Sequence, residues 1–168
     1  MSASDVERIQ PGPGQESVWD YPRPPRVDAV ESLVTIRFCG ATICETNAPI
    51  RVLETSHPPT FYLPMQDFVA GALRPCTGLS VCEFKGPARY FDIVGADGKV
   101  AAAVAWGYPE PWPGFEQLKD HVAVYAGQMD ECLVDGERVI PQPGEFYGGW
   151  ITSSVVGPFK GIPGSTRW

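Results

Sequence analysis

Residues 33–45 read LVTIRFCGATICE, and this stretch decides the fold class. Apolar side chains occupy every second position from Val34 to Phe38, which is the period of a half-buried β-strand. Gly40 allows the chain to turn, and a second strand follows it. A two-residue loop at this point predicts that Phe38 lies opposite Ile43. The stretch therefore predicts an antiparallel hairpin.

Outward from this hairpin, short apolar segments alternate with turn signals. An Asp-Gly pair occurs at residues 97–98 and again at 135–136, and each predicts a hairpin. One short helix is predicted from Met65 to Leu73, and residues 74–87, rich in Gly, Pro and Cys, are predicted to form a loop. Further strands are predicted at residues 50–54, 61–63, 89–94, 100–106, 121–125, 131–134 and 137–140, with a helical turn at 115–118. About eight short strands with little helix indicate a mainly β protein.

The composition limits the classes of function. The chain has 168 residues, 43% hydrophobic, which fits one folded domain, and its net charge of −7 disfavours nucleic acid and anionic membranes as partners. None of the five cysteines forms a C-x-x-C pair, so a zinc site of that type is excluded and no metal or cofactor is predicted. No signal or membrane-spanning pattern is seen, which predicts a cytoplasmic protein. A homodimer is compatible with the sequence.

Three segments differ in character. Residues 1–30 are polar and rich in proline, and they predict an extended arm. Residues 31–140 carry the strand pattern and form the predicted β domain. Residues 141–168 lack a regular pattern but keep large aromatic side chains, so they are expected to pack on the domain as an irregular tail.

Reactive side chains concentrate at Cys82-Glu83-Phe84-Lys85-Gly86. Cys82 is a candidate nucleophile, because the nearby Lys85 ammonium favours a thiolate; the alternative is a buried structural cysteine. Lys85 is a candidate for binding an anion or for acting as a base, with a salt bridge to Glu83 or Glu54 as the alternative.

Glu54 is the third candidate catalytic residue. It shares a strand face with Val52, so it either points inward or follows the end of its strand. An inward carboxylate is a candidate general acid or base. The alternative is an ion pair with Arg37, Arg51 or Lys85.

Aromatic residues flank these groups. Tyr62, Trp106 and Tyr108 are candidates for a wall that stacks on a flat ligand, with ordinary core packing as the alternative. Arg37 and Asp67 complete the candidate ligand-binding set, although Asp67 also suits the first turn of the predicted helix. His57 and His121 are interpreted as a loop residue and a strand residue, and the alternative is that one of them supplies the base for a Cys82 nucleophile.

The order of the motifs resembles the bacterial and fungal family called domain of unknown function 427. The matching segments, over residues 30–140, are Arg37–Gly40, Leu53–Glu54, Phe61–Pro64 with Asp67, Cys82–Gly86, Ala88, Tyr90, Ala105–Pro111 and His121–Tyr125. The resemblance implies a β-tent fold, in which two small antiparallel sheets meet at an angle with one or two short helices. Zinc-binding relatives share that fold, and this chain lacks their zinc cysteines, so a metal-free version is implied. A nucleotidyltransferase label is attached to the family, but no phosphate-binding loop or D-x-D pair is found.

Three functions follow as hypotheses. The first is a metal-free enzyme that processes a small molecule, with Glu54, Lys85 and Cys82 as catalytic residues. The second is a binding module that uses the aromatic wall as a cage and performs no chemistry. The third is an interaction protein that uses the arm and the tail.

Overall fold

The computed structural model describes residues 2–168 and contains short strands joined by turns. The strands are β1 (Glu16–Ser17), β2 (Arg26–Ala29), β3 (Val34–Phe38), β4 (Ala41–Thr46), β5 (Ile50–Leu53), β6 (Thr60–Pro64), β7 (Leu73–Cys82), β8 (Gly86–Val94), β9 (Val100–Gly107), β10 (His121–Val124), β11 (Glu131–Val134), β12 (Glu137–Arg138), β13 (Ile140–Pro141), β14 (Trp150–Ile151) and β15 (Val155–Val156). Helical structure within residues 2–168 consists of 3-10 turns at Ala3–Asp5, Val18–Asp20, Met65–Asp67, Glu116–Leu118 and Ala126–Gln128. Among the described residues, no helix has the length and apolar character needed to cross a membrane. The prediction of a mainly β fold is confirmed.

Two antiparallel sheets dominate the architecture. The larger has seven strands in the order β2-β5-β6-β10-β9-β8-β7, and the smaller has four in the order β12-β11-β3-β4. Side chains from one face of each sheet form a shared core that includes Ile36, Ile43, Leu63, Ile93 and Val122. The candidate site lies on the opposite face of the seven-stranded sheet. The finer expectation, a β-tent with sheets meeting at an angle, stays a prediction.

The hairpin of β3 and β4 is confirmed, but its predicted register is wrong. The turn residues are Cys39 and Gly40, both with positive φ (52° and 77°), and Phe38 pairs with Ala41 instead of Ile43. A two-residue hairpin turn whose φ angles are both positive matches the twist of the strands. A bulge after Ile36 then absorbs the extra residue of β4.

The predicted helix from Met65 to Leu73 is wrong beyond its first turn. Phe68 is extended and bridges to β4, and the Val69 amide donates to the Ile43 carbonyl at 2.8 Å. A turn then follows at residues 70–71. A helix this short is marginal without a packed face, and main-chain pairing with β4 replaces it. Val69, within the predicted helix, is 52% exposed.

The predicted loop at residues 74–87 is also wrong, because most of it forms β7, which pairs with β8. β7 is an edge strand, and its side chains are mostly exposed on both faces, so it shows no alternation that could reveal it. Pro75 and Gly78 lie at its irregular part, where an edge strand tolerates a proline.

The arm and the tail pack together against the larger sheet. Val18, Trp19, Val155 and Trp168 form a buried cluster around Leu53. β1 pairs with β15 in parallel, and β2 extends the seven-stranded sheet. Segments from both ends of the chain therefore lie beside the strands that carry the candidate site.

Candidate functional site

A row of aromatic side chains crosses the face of the seven-stranded sheet that is opposite the shared core. Trp106 pairs with Tyr90 on β8 and with Ala123 on β10. Because Val122 pairs with Leu63, Ala123 lies beside Tyr62. Residues that pair across antiparallel strands share a face, so Tyr62, Trp106 and Tyr90 point to the same side of the sheet.

This row forms the floor of a cleft of about 440 Å³. Six of the eight candidate residues line it: Glu54, Tyr62, Cys82, Lys85, Trp106 and Tyr108. Residues outside the candidate set also line it, in particular His57, Tyr125, Tyr147 and Lys160. The cleft therefore combines an aromatic floor with charged and titratable groups.

The aromatic rings contact one another closely. The ring centroids of Tyr62 and Tyr108 are 6.2 Å apart, and those of Trp106 and Tyr125 are 4.5 Å apart, with tilted planes. Burial raises the pKa of the Tyr62 and Tyr108 hydroxyls well above their ordinary value. These hydroxyls therefore stay protonated near neutral pH, where they can donate hydrogen bonds but cannot act as bases.

One end of the cleft is formed by the turn between β7 and β8. Lys85 lies in this turn, and its Nζ is 5.6 Å from the centre of the Tyr108 ring, a cation–π distance. Cys82 is half-buried at the end of β7 and packs against the same aromatic cluster. Gly86 has a φ of 107° and lies against the Trp112 ring, so a side chain at this position would be strained and crowded.

The opposite end of the cleft is formed by residues that follow β5. Glu54 Oε2 is 3.2 Å from the Arg23 guanidinium, so the ion pair expected of Glu54 has a partner in the arm instead of Arg37, Arg51 or Lys85. His57 Nδ1 lies 3.0 Å from the Thr55 carbonyl oxygen and 3.8 Å from Glu54 Oε2. Burial is the main reason why the pKa of His57 is lowered from its ordinary value of 6.5, although Glu54 opposes this shift.

The tail completes this end. The Tyr147 ring packs edge-on against His57, with centroids 5.3 Å apart, and Lys160 Nζ lies 6.0 Å from the centre of the Tyr147 ring. Lys160 Nζ donates a hydrogen bond to the main-chain oxygen of Trp168 at 3.0 Å. Burial, followed by the nearby Arg23 charge, lowers the pKa of Lys160.

Strand register shows that the two ends are well separated. Arg89 pairs with Gly107, so Tyr108 lies beside Ala88, and Cys82 is further out along β7. Glu54 is four residues beyond Ile50, the strand partner of Tyr62, which corresponds to about 13 Å along an extended chain. The Cys82 thiol and the His57 imidazole therefore lie at opposite ends of the cleft.

The other two candidates lie outside the cleft. Arg37, on the four-stranded sheet, donates to the Gly40 carbonyl oxygen at 3.2 Å and lies 3.8 Å from Glu131. Asp67 accepts a hydrogen bond from the Thr46 hydroxyl at 2.7 Å. Both side chains support local structure, and neither lines the cleft.

Across residues 2–168, no three His, Cys, Asp or Glu side chains are grouped in a way that could hold a metal ion. The five cysteines are free thiols. The functional groups that the cleft offers are therefore the imidazole, the carboxylate, the lysines, the thiol and the aromatic hydroxyls.

The fold and the cleft together define a mainly β protein with an aromatic cleft on one face of its larger sheet. A family match then identifies the chain: it belongs to the domain of unknown function family DUF427, which matches residues 26–135. No curated protein matches the sequence. Arg23, Tyr147 and Lys160 lie outside the matched residues, so the arm and the tail add groups to a cleft whose floor belongs to the family domain.

Proposed function

We propose that this protein is an enzyme that processes a small molecule by proton transfer, with His57 as the general base. In this proposal a flat part of the substrate packs against the half-buried rings of Tyr90 and Tyr125, which lie beside the buried Trp106. The reacting part lies at the end formed by Glu54, His57 and Lys160. The observation that carries the proposal is the position of His57, an oriented imidazole in the same cleft as the aromatic floor.

The hydrogen bond to the Thr55 carbonyl determines which nitrogen reacts. A neutral imidazole that donates from Nδ1 has its lone pair on Nε2, so Nε2 is available to a substrate. The lowered pKa keeps the ring neutral and able to accept a proton near pH 7. Glu54, held by Arg23, acts as a positioning residue and stabilises the imidazolium after proton transfer.

The proposal changes the roles of the other two catalytic candidates. Lys85 and Cys82 line the end of the cleft away from His57, so they contribute to binding the substrate. A pair consisting of a cysteine nucleophile and a histidine base requires hydrogen-bond contact, and the separation of Cys82 from His57 disfavours that mechanism.

A binding module without chemistry is the second candidate, and the aromatic lining favours it. Tyr62, Tyr90, Trp106, Tyr108 and Tyr125 line a single cleft, and Glu54 is already engaged by Arg23. Rings of this kind bind flat ligands by stacking without any need for a reactive group.

Incubation with a defined mixture of metabolites, followed by mass spectrometry, tests the two functions. Under the enzyme proposal the wild-type protein consumes a compound, His57→Gln does not, and His57→Gln still binds it. His121→Gln is the matched control, because the chain has two histidines and His121 does not line the cleft. Retention of a compound without conversion would favour the binding module. Conversion that survives in His57→Gln would contradict the role of His57.

A further inference from the structure

The charges in the cleft differ in sign from those of the whole chain. The chain carries 20 acidic and 13 basic side chains, yet the cleft is lined by one carboxylate, Glu54, and by two lysines, Lys85 and Lys160. The chain has only four lysines, so half of them line this one cleft. This distribution indicates that the cleft accepts negative charge.

The single carboxylate does not neutralise the lysines. The Glu54 carboxylate is 3.2 Å from the Arg23 guanidinium, whose positive charge balances it. Within residues 2–168, neither Lys85 nor Lys160 has a side-chain carboxylate within ion-pair distance. Lys160 donates one hydrogen bond, to the Trp168 main-chain oxygen, and an ammonium group has three N–H donors. Two donors of Lys160 remain for a ligand.

The aromatic floor and the Lys160 end are close enough for one small molecule. Gly148 lies directly against the Trp106 indole, so closely that a side chain at this position would overlap the ring. The preceding residue, Tyr147, has its ring centre 6.0 Å from Lys160 Nζ. Trp106 and Lys160 line the same cleft of about 440 Å³, a volume within the range that a single small molecule occupies.

We infer that the ligand of this cleft is a small planar molecule with an acidic group, and that Lys160 binds the acidic group next to His57. This inference rests on the proposed function and names its substrate class. The shared chemistry is a flat ring joined by a short linker to an anionic oxygen, as in an arylalkyl carboxylate or an aryl phosphate. The anion accepts hydrogen bonds from the N–H donors that Lys160 has left, and it places the rest of the molecule within reach of His57.

Lys160 lies in the tail and Arg23 in the arm, both outside the family match at residues 26–135. The aromatic floor, formed by Tyr62 and Trp106, lies within it. The group to which this inference assigns the anion, Lys160, therefore lies in the tail and outside the family match.

Probes that share one ring and differ in charge test the inference. We suggest 4-hydroxyphenylacetate, its alcohol 2-(4-hydroxyphenyl)ethanol and its amine tyramine, with phenyl phosphate to separate carboxylate from phosphate. Binding to the full chain is measured by protein-observed NMR titration. The expected result is that one of the two anions binds at least ten-fold more tightly than the alcohol, and that the amine binds most weakly.

Lys160→Met should remove this preference, because it deletes the charge and keeps most of the length of the side chain. It is expected to weaken binding of the preferred anion at least ten-fold and binding of the alcohol less than two-fold. Lys119→Met is the control outside the cleft, and Lys85→Met tests the other end. Thermal melting confirms that each variant is folded.

Each outcome distinguishes the inference from the function on which it rests. If the alcohol binds as tightly as the anions, or if Lys85→Met instead of Lys160→Met removes the preference, the inference is overturned and the ring-binding cleft stands. If none of the four probes causes shifts at the cleft, the inference is overturned, and the conversion assay with His57→Gln decides the proposed function separately.

Discussion

Trp150→Ala should lower the stability of this protein more than almost any other single substitution in the tail. Trp150 is 1% exposed, its ring stacks on Phe61 with centroids 5.2 Å apart, and its Nε1 donates to the Val124 carbonyl oxygen at 3.0 Å. Burying a tryptophan removes about 150–250 Å² from water, which at about 25 cal/mol/Å² corresponds to roughly 4–6 kcal/mol. Measured losses for large aromatic residues replaced by alanine are about 3–5 kcal/mol. We expect a loss of about 4 kcal/mol in the free energy of unfolding.

Urea unfolding followed by circular dichroism measures this loss, with two companion variants. Trp150→Phe keeps an aromatic ring beside Phe61 but leaves the Val124 carbonyl without its donor, so it should cost about 1–3 kcal/mol. Phe146→Ala is the control, because Phe146 is 81% exposed and its removal should change stability by no more than about 0.5 kcal/mol. A loss below about 1 kcal/mol for Trp150→Ala would refute the reasoning, since it would show that the tail is not part of the cooperative core.

Three further predictions concern the pH dependence, the tail contact and the thiols. Burial lowers the pKa of His57 from 6.5 in the folded protein, so the unfolded chain binds a proton more readily. The free energy of unfolding should therefore fall as pH decreases below about 6.5. His57→Gln should remove that part of the fall, and His121→Gln should keep it. Gly148→Ala forces a methyl group into the Trp106 ring and should lower the free energy of unfolding in urea by about 1–3 kcal/mol. Gly127→Ala, whose added methyl group would have its nearest neighbour 3.8 Å away, should be nearly neutral. Equal losses in the two variants would contradict the packing of Gly148 on Trp106. Burial raises the pKa of the Cys44 and Cys132 thiols to about 12, so iodoacetamide at pH 8 should alkylate neither in the native protein. Peptide mass spectrometry that finds them modified as fast as Cys76 would disprove this.

The sequence predicted those strands whose side chains alternate between a buried and an exposed face. β3 is an example, because Val34, Ile36 and Phe38 are buried in the core and the residues between them are not. The Asp-Gly pairs at residues 97–98 and 135–136 fixed two hairpins, because glycine adopts the positive φ that these turns require. β7 was missed since an edge strand that is exposed on both faces has no such alternation.

The sequence also identified much of the cleft from single motifs. Trp106 and Tyr108 flank Gly107, Tyr62 lies two residues before Pro64, and Cys82 and Lys85 lie in one short motif. It interpreted His57 as a loop residue, with a base for Cys82 as the alternative. It did not identify Lys160, because a lysine in an irregular tail carries no local signal. Arg37 and Asp67, by contrast, were included with the candidates, although each supports local structure away from the cleft.

By itself, then, the sequence determined the mainly β class, two hairpins and the aromatic residues of the floor. Only the tertiary structure decided which strands are neighbours, and the register of β6, β10, β9 and β8 is what aligns Tyr62, Trp106 and Tyr90 into one row. It also brought Arg23 and Lys160 to the same end of one cleft, from segments 137 positions apart in the numbering. The physical reason is that local patterns record which residues are buried and where the chain turns, whereas a binding cleft depends on pairing and packing between segments that are distant in sequence.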